Sequence, residues 1–392
     1  MSVVDDISFP APRESGCPFD PPPAFRRAAT RISLWDGKPC WMLTDYRDVR
    51  AVLSDRRFSA DTRNPAFPFL LPGQQQLRRE KPNFLRLDDP EHARLRKMLT
   101  TDFLIKRVEA MRPDIQRIVD ETLDAMVGHG SPADLVAEFA LPVPSLVICD
   151  LLGVPYEDHE FFQRQSVRLL DSTIPPQDVR AAFDLLIEYL TDLAATKHAG
   201  STGILAKLAA RDDLSAEEVA NNGLLLLLAG HETTANMTSL STLVLLRNPA
   251  QADRLRAEPE LIGGAVEELL RYLTIVDTGL PRVAMEDVEL SDGLVVKAGE
   301  AVLLILSMAN RDEELFPGAT DLDVTRDARR HLAFGFGVHQ CLGQPLARAE
   351  LQIALSTLLR RLPRLRLAVP FEEVAFRNET LIYGLKQLPV AW

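Results

Sequence analysis

The chain of 392 residues carries 44 basic and 56 acidic side chains, a net charge of -12, with 46% hydrophobic and 26% charged residues. This composition is ordinary for a globular protein, and the acidic balance argues against nucleic acid as a partner. The longest apolar stretches fall far short of the ~20 residues that span a membrane, and the N-terminus lacks the basic-then-apolar pattern of a signal peptide, so we expect a cytoplasmic protein without a membrane segment.

The N-terminal part of the chain begins with a proline-rich stretch. We expect one domain over residues 1–392, in which residues 1–30 form an extended arm. Residues 31–35 and 40–44 flank a turn sequence and predict a β-hairpin, which residues 45–53 follow as a helix. Residues 60–86 show no periodicity and predict a long loop, a feature that in compact domains is usually functional.

The middle of the chain is dominated by helical periodicity. Apolar residues three and four apart predict helices over most of residues 90–198. Ser215 and Glu218 form a capping box, which predicts the start of a helix that continues to Asn248 and is long and apolar enough to cross the core.

The C-terminal part mixes both kinds of element. Residues 251–273 predict one further helix, residues 283–296 and 301–306 predict strands, and residues 348–361 predict a final helix before short β segments. The predicted fold class is therefore mainly α with a small β region.

A weak point lies within the long helix, at Ala229-Gly230-His231-Glu232-Thr233-Thr234. Glycine there costs about 1 kcal/mol relative to alanine, and threonine hydroxyls can bond back to the preceding turn. Together they predict a local opening of the backbone ladder that can hold a small molecule and a water. Taken alone, the pattern also fits packed threonines with Glu232 in solvent, and His231 is expected on the helix surface or the wall of a groove.

The most informative stretch is Phe334-Gly335-Phe336-Gly337-Val338-His339-Gln340-Cys341-Leu342-Gly343, with a helix-forming segment after it. The glycines leave room for a large flat group against the backbone. A cysteine at a helix start meets unpaired N–H groups, which favour the thiolate. A single axial thiolate is the ligand that promotes O–O cleavage on haem iron. The alternative is a buried, inert cysteine in a glycine-rich turn.

This stretch resembles the haem-binding loop of the cytochromes P450. The resemblance implies that family's fold, with haem b between the long central helix and the helix after Cys341, and Cys341 as the axial ligand of the iron. It also implies an oxygen-binding groove at Ala229, where Thr233 is the alcohol and Glu232 the acid that deliver protons.

The resemblance extends to the residues that hold the cofactor and the loop. It implies that the haem propionates bind basic side chains, that Phe334 and Gly343 lie against the haem, and that an acid–arginine network fixes the loop. The propionate donors are His92, Arg96, Arg282 and His339, and the network is Glu268, Arg271 and Arg326.

By the same resemblance, the substrate pocket takes its walls from the loop at 67–84, the turn at 169–176 and two later segments. The individual pocket residues are Leu226, Val276, Asp277, Thr278, Leu381 and Ile382. Such a largely apolar lining suits a bulky lipophilic molecule, a polyketide- or macrolide-like secondary metabolite or a xenobiotic.

The implied function is a haem-thiolate monooxygenase that inserts one oxygen atom of O2 into a C–H bond, with epoxidation or further oxidation as variants. No flavin or nicotinamide fold is visible, so electrons from NAD(P)H are expected through a ferredoxin and its reductase. The expected protein is a monomer, and its donor is expected to dock on Lys97, Lys106, Arg107, Arg329 and Arg330.

Three alternatives remain at this point. A peroxide-driven peroxygenase should lack the acid–alcohol pair that this chain has. A non-catalytic haem-binding sensor needs an output module, and no spare domain exists. A zinc site made of His331, His339 and Cys341 lacks a fourth ligand and leaves the glycines unexplained.

Overall fold

The computed structural model describes residues 7–14, 16–72, 75, 82–196 and 202–392. The first six residues of the predicted arm, parts of the predicted loop at 60–86 and the end of the helical stretch at 197–201 lie outside the described residues.

The helices of the described part dominate the fold. They are α1 (Tyr46–Ser54), α2 (Glu91–Thr100), α3 (Ile105–His129), α4 (Pro142–Leu152), α5 (His159–Leu170), α6 (Pro176–Ala195), α7 (Ile204–Ala209), α8 (Ala216–Arg247), α9 (Pro249–Ala257), α10 (Ile262–Leu273), α11 (Leu306–Ala309) and α12 (Gln344–Arg361). A π-helical turn covers Val136–Ala140, and short 3₁₀ turns cover Pro23–Phe25, Phe84–Arg86, Thr101–Phe103, Tyr156–Asp158, Pro259–Leu261, Ser291–Gly293, Gly337–His339 and Phe371–Glu373.

The strands are short, and most of them lie before residue 60 or after residue 279. They are β1 (Thr30–Ser33), β2 (Pro39–Leu43), β3 (Phe58–Ser59), β4 (Ala133–Asp134), β5 (Leu280–Ala284), β6 (Val288–Glu289), β7 (Val295–Val296), β8 (Ala301–Leu304), β9 (Arg366–Leu367), β10 (Phe376–Arg377), β11 (Gly384–Leu385) and β12 (Pro389–Ala391). The largest sheet has the order β1-β2-β8-β5-β3, and smaller sheets pair β4-β12-β9, β10-β11 and β6-β7.

The sheet joins the N-terminal hairpin to the C-terminal half of the chain. β1 and β2 pair antiparallel, as the sequence predicts, and β2 then pairs in parallel with β8, from Cys40 opposite Ala301 to Leu43 opposite Leu304. β5 pairs antiparallel with β8 and carries Arg282. The pairing therefore places an arginine of the C-terminal half beside the N-terminal strands.

α8 is the central element of the helical region. The predicted capping box is present, because Ser215 Oγ accepts from the Glu218 N–H and the Glu218 carboxylate accepts from the Ser215 N–H. The helix runs for 32 residues and packs against α4, α6 and α12. Its position in the largest hydrophobic cluster confirms the prediction that it crosses the core.

Two boundaries differ from those predicted. Residues 251–273 form two helices, α9 and α10, because Pro259 cannot donate a backbone hydrogen bond and starts a separate 3₁₀ turn. The last helix begins at Gln344 rather than 348, since Pro345 falls in its first turn, where the missing N–H has no cost. No helix among the described residues combines the length and hydropathy of a membrane span.

Candidate functional site

The accessible side of α8 marks an open space inside the protein. The helix is buried along most of its length, but Leu225, Leu228, Ala229 and Thr233 remain accessible at spacings of three or four residues. Ala229 is exposed even though it lies at the middle of a core helix. Positions at that spacing share one face, so this accessible stripe borders a space that protein atoms do not fill.

The glycine at position 230 is explained by helix packing and not by an opening of the helix. A Cβ at this position would lie 2.6 Å from Cγ1 of Ile148 on α4, so the glycine permits close approach of the two helices. α8 is helical from Ala216 to Arg247 without interruption, and the predicted opening is therefore wrong. The Thr233 hydroxyl does donate back to the Ala229 carbonyl, at 2.7 Å.

His231 and Glu232 form a buried pair on α8. His231 is fully buried, so the predicted helix-surface position is wrong. Its Nδ1 donates to the Leu227 carbonyl at 2.7 Å, which leaves Nε2 as the unprotonated nitrogen of a neutral ring, 3.7 Å from Oε1 of Glu232. Burial lowers the pKa of His231 and supports the neutral form.

The carboxylate of Glu232 also meets an arginine that the sequence motif did not indicate. Oε2 lies 3.4 Å from Nη1 of Arg377 on β10 and 3.5 Å from Nδ2 of Asn236. Glu232 is 4% exposed, while the Arg377 side chain is 21% exposed. Arg377 therefore links the buried acid to the protein surface.

The loop before α12 owes its shape to two glycines and one backbone bond. Gly335 and Gly337 have φ values of +68° and +73°, which only glycine adopts without strain. A Cβ at Gly337 would also overlap the carbonyl of Leu53 at the end of α1. The Cys341 N–H donates to the Phe334 carbonyl at 2.9 Å, which closes the loop directly in front of Gly343, the N-cap residue of α12.

Cys341 faces accessible space at the start of α12. Burial by the surrounding protein raises the pKa of its thiol, against the backbone N–H groups of Gly343 and Gln344 and the guanidinium groups of Arg96 and Arg348, which lower it. The predicted helix-start effect is thus present, and burial outweighs it in the protein alone. A cation bound to the sulfur stabilises the thiolate in such a setting.

Four basic residues, here called the basic cradle, come together from separate elements: His92 and Arg96 on α2, Arg282 on β5 and His339 in the loop. The rings of His92 and His339 lie 4.2 Å apart, and Nη2 of Arg96 donates to the Gln340 carbonyl at 2.6 Å. His92 Nε2 and His339 Nδ1 are buried without a hydrogen-bond partner. His92 Nδ1 lies 3.0 Å from Oδ1 of Asp89, so it is the opposite ring nitrogen that has no partner. Buried polar atoms without a partner indicate a missing polar group.

The electrostatics of the basic cradle call for an anion. Burial lowers the pKa of Arg282 to about 10. Burial, followed by the charges of Arg282, His92, Arg86 and Arg96, lowers the pKa of His339 to about 2. Asp88 is the acid that acts on Arg282, but its oxygens already accept from Ser59 and the Ala60 N–H. One planar group would fit all three features. Its two carboxylates would meet the basic cradle, its ring would lie along the accessible stripe, and a metal at its centre would bind the Cys341 thiolate.

Arg86 was missed by sequence reasoning. It lies near enough to His339 to lower that residue's pKa, and its guanidinium lies 5.8 Å from the Phe67 ring. It follows a loop without periodicity, so no pattern in the sequence could have assigned it to the basic cradle.

Glu268 and Arg271 of the predicted acid–arginine network are fully buried, and the Arg326 side chain is mostly buried. Arg271 donates to both carboxylate oxygens of Glu268, at 2.7 and 2.8 Å, and to the carbonyls of Asn310 and Ala319. Nε of Arg326 reaches Oε1 of Glu268 at 3.2 Å. The structure thus brings Glu268, Arg271 and Arg326 together beneath the segment that leads to the loop.

A second network, which sequence reasoning missed, holds Phe334. Glu267 accepts two bonds from Arg348, at 2.7 and 2.9 Å, and one from Nε2 of His331, at 3.2 Å. The Arg348 guanidinium lies 4.6 Å from the centre of the Phe334 ring. Despite burial, hydrogen bonds from His331 and Arg348 lower the pKa of Glu267 to about 2. In the sequence, the indication of this network was that Glu267 directly precedes Glu268 on α10. The sequence analysis gives a role to Glu268 alone.

The predicted pocket residues have unequal settings. Val276, Leu381 and Ile382 are half-buried, whereas Leu226 and Thr278 are buried. The Asp277 carboxylate pairs with Arg13 of the N-terminal arm, at 3.0 Å, so the prediction that it is a polar group facing the substrate needs correction. Leu71 and Pro72 meet the turn at 169–176 around a pocket of about 80 Å³, as expected if both border the substrate space.

The described residues give no support to a zinc site. They contain no group of three or more His, Cys, Asp or Glu side chains placed to hold a metal ion. His331 is hydrogen-bonded to Glu267, while the His339 ring lies against the His92 ring at a tilt of 42°. The three proposed zinc ligands, His331, His339 and Cys341, therefore do not form one cluster.

Comparison with known proteins agrees with this geometry. A family model described as Cytochrome P450 matches residues 177–381. The chain is 61% identical to Cytochrome P450-SU2 of Streptomyces griseolus, over 99% of this chain and 98% of the relative. It is 48% identical to pentalenic acid synthase of Streptomyces avermitilis, over 100% of this chain and 98% of the relative.

A solved structure shares the fold over nearly the full length. It is mycinamicin VIII C21 methyl hydroxylase from Micromonospora griseorubida bound to mycinamicin VIII, with a TM-score of 0.89 and 40% identity. The similarity covers 98% of this chain and 100% of that one.

Proposed function

This chain belongs to the cytochrome P450 family and is a haem-thiolate monooxygenase, and from that premise we propose that it oxidises a bulky lipophilic molecule of the macrolide or polyketide kind, or a xenobiotic of similar size. The observation that carries the proposal is that Val276, Leu381 and Ile382 of the predicted pocket are apolar and only half-buried. The relative that binds mycinamicin VIII supports a macrolide-sized substrate.

We assign cofactor binding to Cys341 and the basic cradle. Cys341 would hold the haem iron, and the basic cradle would hold the two propionates, which supply the polar groups that the unpartnered nitrogens of His92 and His339 lack. Ala229, Phe334 and Gly343 would lie against the ring. When bound, the haem supplies the iron on which O2 is activated.

We assign proton delivery to Thr233 and Glu232. The Thr233 hydroxyl donates a hydrogen bond to the Ala229 carbonyl. Rotation of the hydroxyl away from that carbonyl would point its hydrogen into the space along the accessible stripe. Glu232 can hold a second proton and exchange it with the surface past Arg377. The acid–alcohol pair disfavours the peroxygenase alternative.

We propose that electrons from NAD(P)H arrive through a ferredoxin and ferredoxin reductase. Lys97, Lys106 and Arg107 are exposed, next to the exposed apolar residues Leu104 and Ile105. Phe103 precedes this patch and lies close to Gly343, which places the patch beside the Cys341 loop. Arg329 is paired with Asp327 at 2.6 Å and contributes less than expected, whereas Arg330 remains exposed.

Two measurements test the proposed function. The reduced protein under carbon monoxide should show the red-shifted Soret band of thiolate ligation. Titration with macrolides, polyketides and drug-like molecules should then give a low-to-high-spin shift, and product analysis should show added oxygen when ferredoxin, reductase and NADPH are present. Binding confined to small polar molecules would contradict the substrate class. Equal turnover with H2O2 alone would restore the peroxygenase.

Charge reversal tests the docking surface. Lys97→Glu with Lys106→Glu should raise the KM for ferredoxin several-fold at low salt, because association is steered by charge. The control is Lys38→Glu on the β1–β2 hairpin, which should leave KM unchanged and is compared with Lys97→Glu alone, so that the charge change is equal.

A further inference from the structure

The strongest contact of the N-terminal arm is made by Arg13. Its Nε donates to Oδ2 of Asp277 at 3.0 Å, its Nη1 to the Pro18 carbonyl at 3.3 Å and its Nη2 to the Leu273 carbonyl at 3.4 Å. The guanidinium also lies 4.0 Å from the centre of the Tyr383 ring. The Arg13 side chain is 2% exposed, so one side chain of the arm is buried among segments more than 250 residues away.

Those segments are the two that carry most of the predicted pocket residues. Asp277 lies between Val276 and Thr278, and Tyr383 follows Leu381 and Ile382. They also touch each other, because the Tyr383 N–H donates to the Ile275 carbonyl at 2.9 Å. The Tyr383 hydroxyl donates to the Pro18 carbonyl at 2.9 Å, so the arm holds this tyrosine at its ring and at its hydroxyl.

The segment after α10 cannot hold its shape by regular hydrogen bonding. Thr274 has φ +38°, a conformation that non-glycine residues rarely adopt, and Gly279 has φ +81°. The conformation of Thr274 persists only where surrounding contacts impose it, whereas glycine adopts positive φ without strain. One such contact is the bond from Asn310 Nδ2 to Thr274 Oγ1, at 2.9 Å. Arg13 supplies the contact at the other end of the segment, through Asp277.

We propose that Arg13 is a positioning residue for substrate selection, since it holds residues 276–278 and 381–382 at the spacing that shapes the substrate pocket. The inference rests on the proposed function for the identity of those pocket walls. If Arg13 has this role, the N-terminal arm helps to determine substrate specificity although it contributes no residue to the predicted pocket. Removal of Arg13 leaves Asp277 buried without its cation, so the segment must move to hydrate the carboxylate.

The test uses the haem-loaded full chain and three iron-binding probes of increasing size: imidazole, 4-phenylimidazole and clotrimazole. Imidazole reaches the iron without filling the pocket, whereas the larger probes press against its walls. For Arg13→Met, we expect the ratio of the clotrimazole Kd to the imidazole Kd to change about tenfold, which is within the range that apolar pocket fit can discriminate. The carbon monoxide spectrum should remain that of the wild type.

Two further variants separate positioning from general damage. Arg13→Lys keeps the charge near Asp277 but loses the forked contacts, so its Kd ratio should fall between those of wild type and Arg13→Met. Asp277→Asn should reproduce the effect, and the double variant should be no worse than the more severe single one, because the two residues act as a unit. Arg26→Met is the control, since that arginine lies on the same arm with its side chain 44% exposed.

The outcomes are distinct. An unchanged Kd ratio in Arg13→Met, with lower thermal stability alone, would overturn the proposal and leave the arm as a structural strap. If Arg13→Met does not retain haem, the ratio in Arg13→Lys and Asp277→Asn decides instead. A wild-type protein that rejects clotrimazole refutes the proposed bulky substrate, and the ratio for 4-phenylimidazole then still tests Arg13.

Discussion

Two regions of the molecule differ in the hydrogen bonding of their buried polar groups. One is the pair of networks around α10, and the other is the accessible face of α8 together with the basic cradle. In the first region, Glu267 and Glu268 are buried and accept hydrogen bonds from Arg348, Arg271 and Arg326. In the second, buried nitrogens of His92, His339 and His231 have no partner. A satisfied buried charge fixes geometry, whereas a cluster of buried nitrogens without partners indicates where a ligand or a moving proton belongs. The two regions therefore differ in the hydrogen bonding of their buried groups.

The largest expected effect is in the scaffold. Glu268→Ala removes the carboxylate that pairs with two arginines and leaves the buried Arg271 and the partly buried Arg326 without their anion, so unfolding should require about 3–5 kcal/mol less free energy. Urea denaturation of the purified variant measures it. Glu260→Ala is the control, an exposed acid two residues before α10. A stability equal to wild type would show that the network is dispensable and would remove the distinction drawn here.

The second scaffold prediction concerns acid. The pKa of Glu267 is depressed to about 2, so its contribution to stability is complete above the ordinary glutamate range and is lost as pH falls towards 2. The shift corresponds to about 3 kcal/mol, at about 1.4 kcal/mol per pKa unit. Thermal melting from pH 6 to pH 3 should therefore fall more steeply in wild type than in Glu267→Gln. Parallel curves would mean that this carboxylate does not titrate with folding.

On the site side, Thr233→Ala should affect chemistry and leave stability nearly unchanged. We expect product formed per NADPH to drop about 100-fold, with the electrons diverted to H2O2, which is the low end of what positioned proton donors contribute. Thr238→Ala is the matched control, because Thr238 makes the same back-bond to a carbonyl four residues earlier, at 2.8 Å, on a buried face of α8. Equal uncoupling in both variants would remove the assignment of Thr233.

The sequence predicted much of the helical layout for a physical reason, whereas the members of the basic cradle were implied by the family resemblance. Capping boxes, hydrophobic periodicity and glycine-rich turns are local, so α8 and the Cys341 loop could be predicted without the fold. The missed features depend on distant partners: Gly230 is explained by Ile148, Glu232 by Arg377, and Asp277 by Arg13. No local pattern reports a contact across 80 or more residues, and this is why the pocket was predicted less well than the scaffold.

The basic cradle can be tested directly by Arg282→Gln, because the effect of this substitution should be favourable without the cofactor and unfavourable with it. Arg282 is buried, and it is the first of the cationic groups that act on His339. In the haem-free protein this crowding of positive charge is unfavourable, so Arg282→Gln should unfold at equal or higher urea concentration than wild type. In the haem-loaded protein the same change removes a charge-assisted bond to a propionate and should speed haem loss about tenfold.

The opposite signs make the experiment informative. Arg254→Gln on α9, which removes an exposed arginine paired only with Glu258, should change neither quantity. Haem transfer to apomyoglobin gives the rate of loss, and urea denaturation of the apoprotein gives the stability. If Arg282→Gln destabilised both forms alike, the arginine would belong with the scaffold of Glu268, and the unpaired nitrogens of His92 and His339 would no longer mark an anion site.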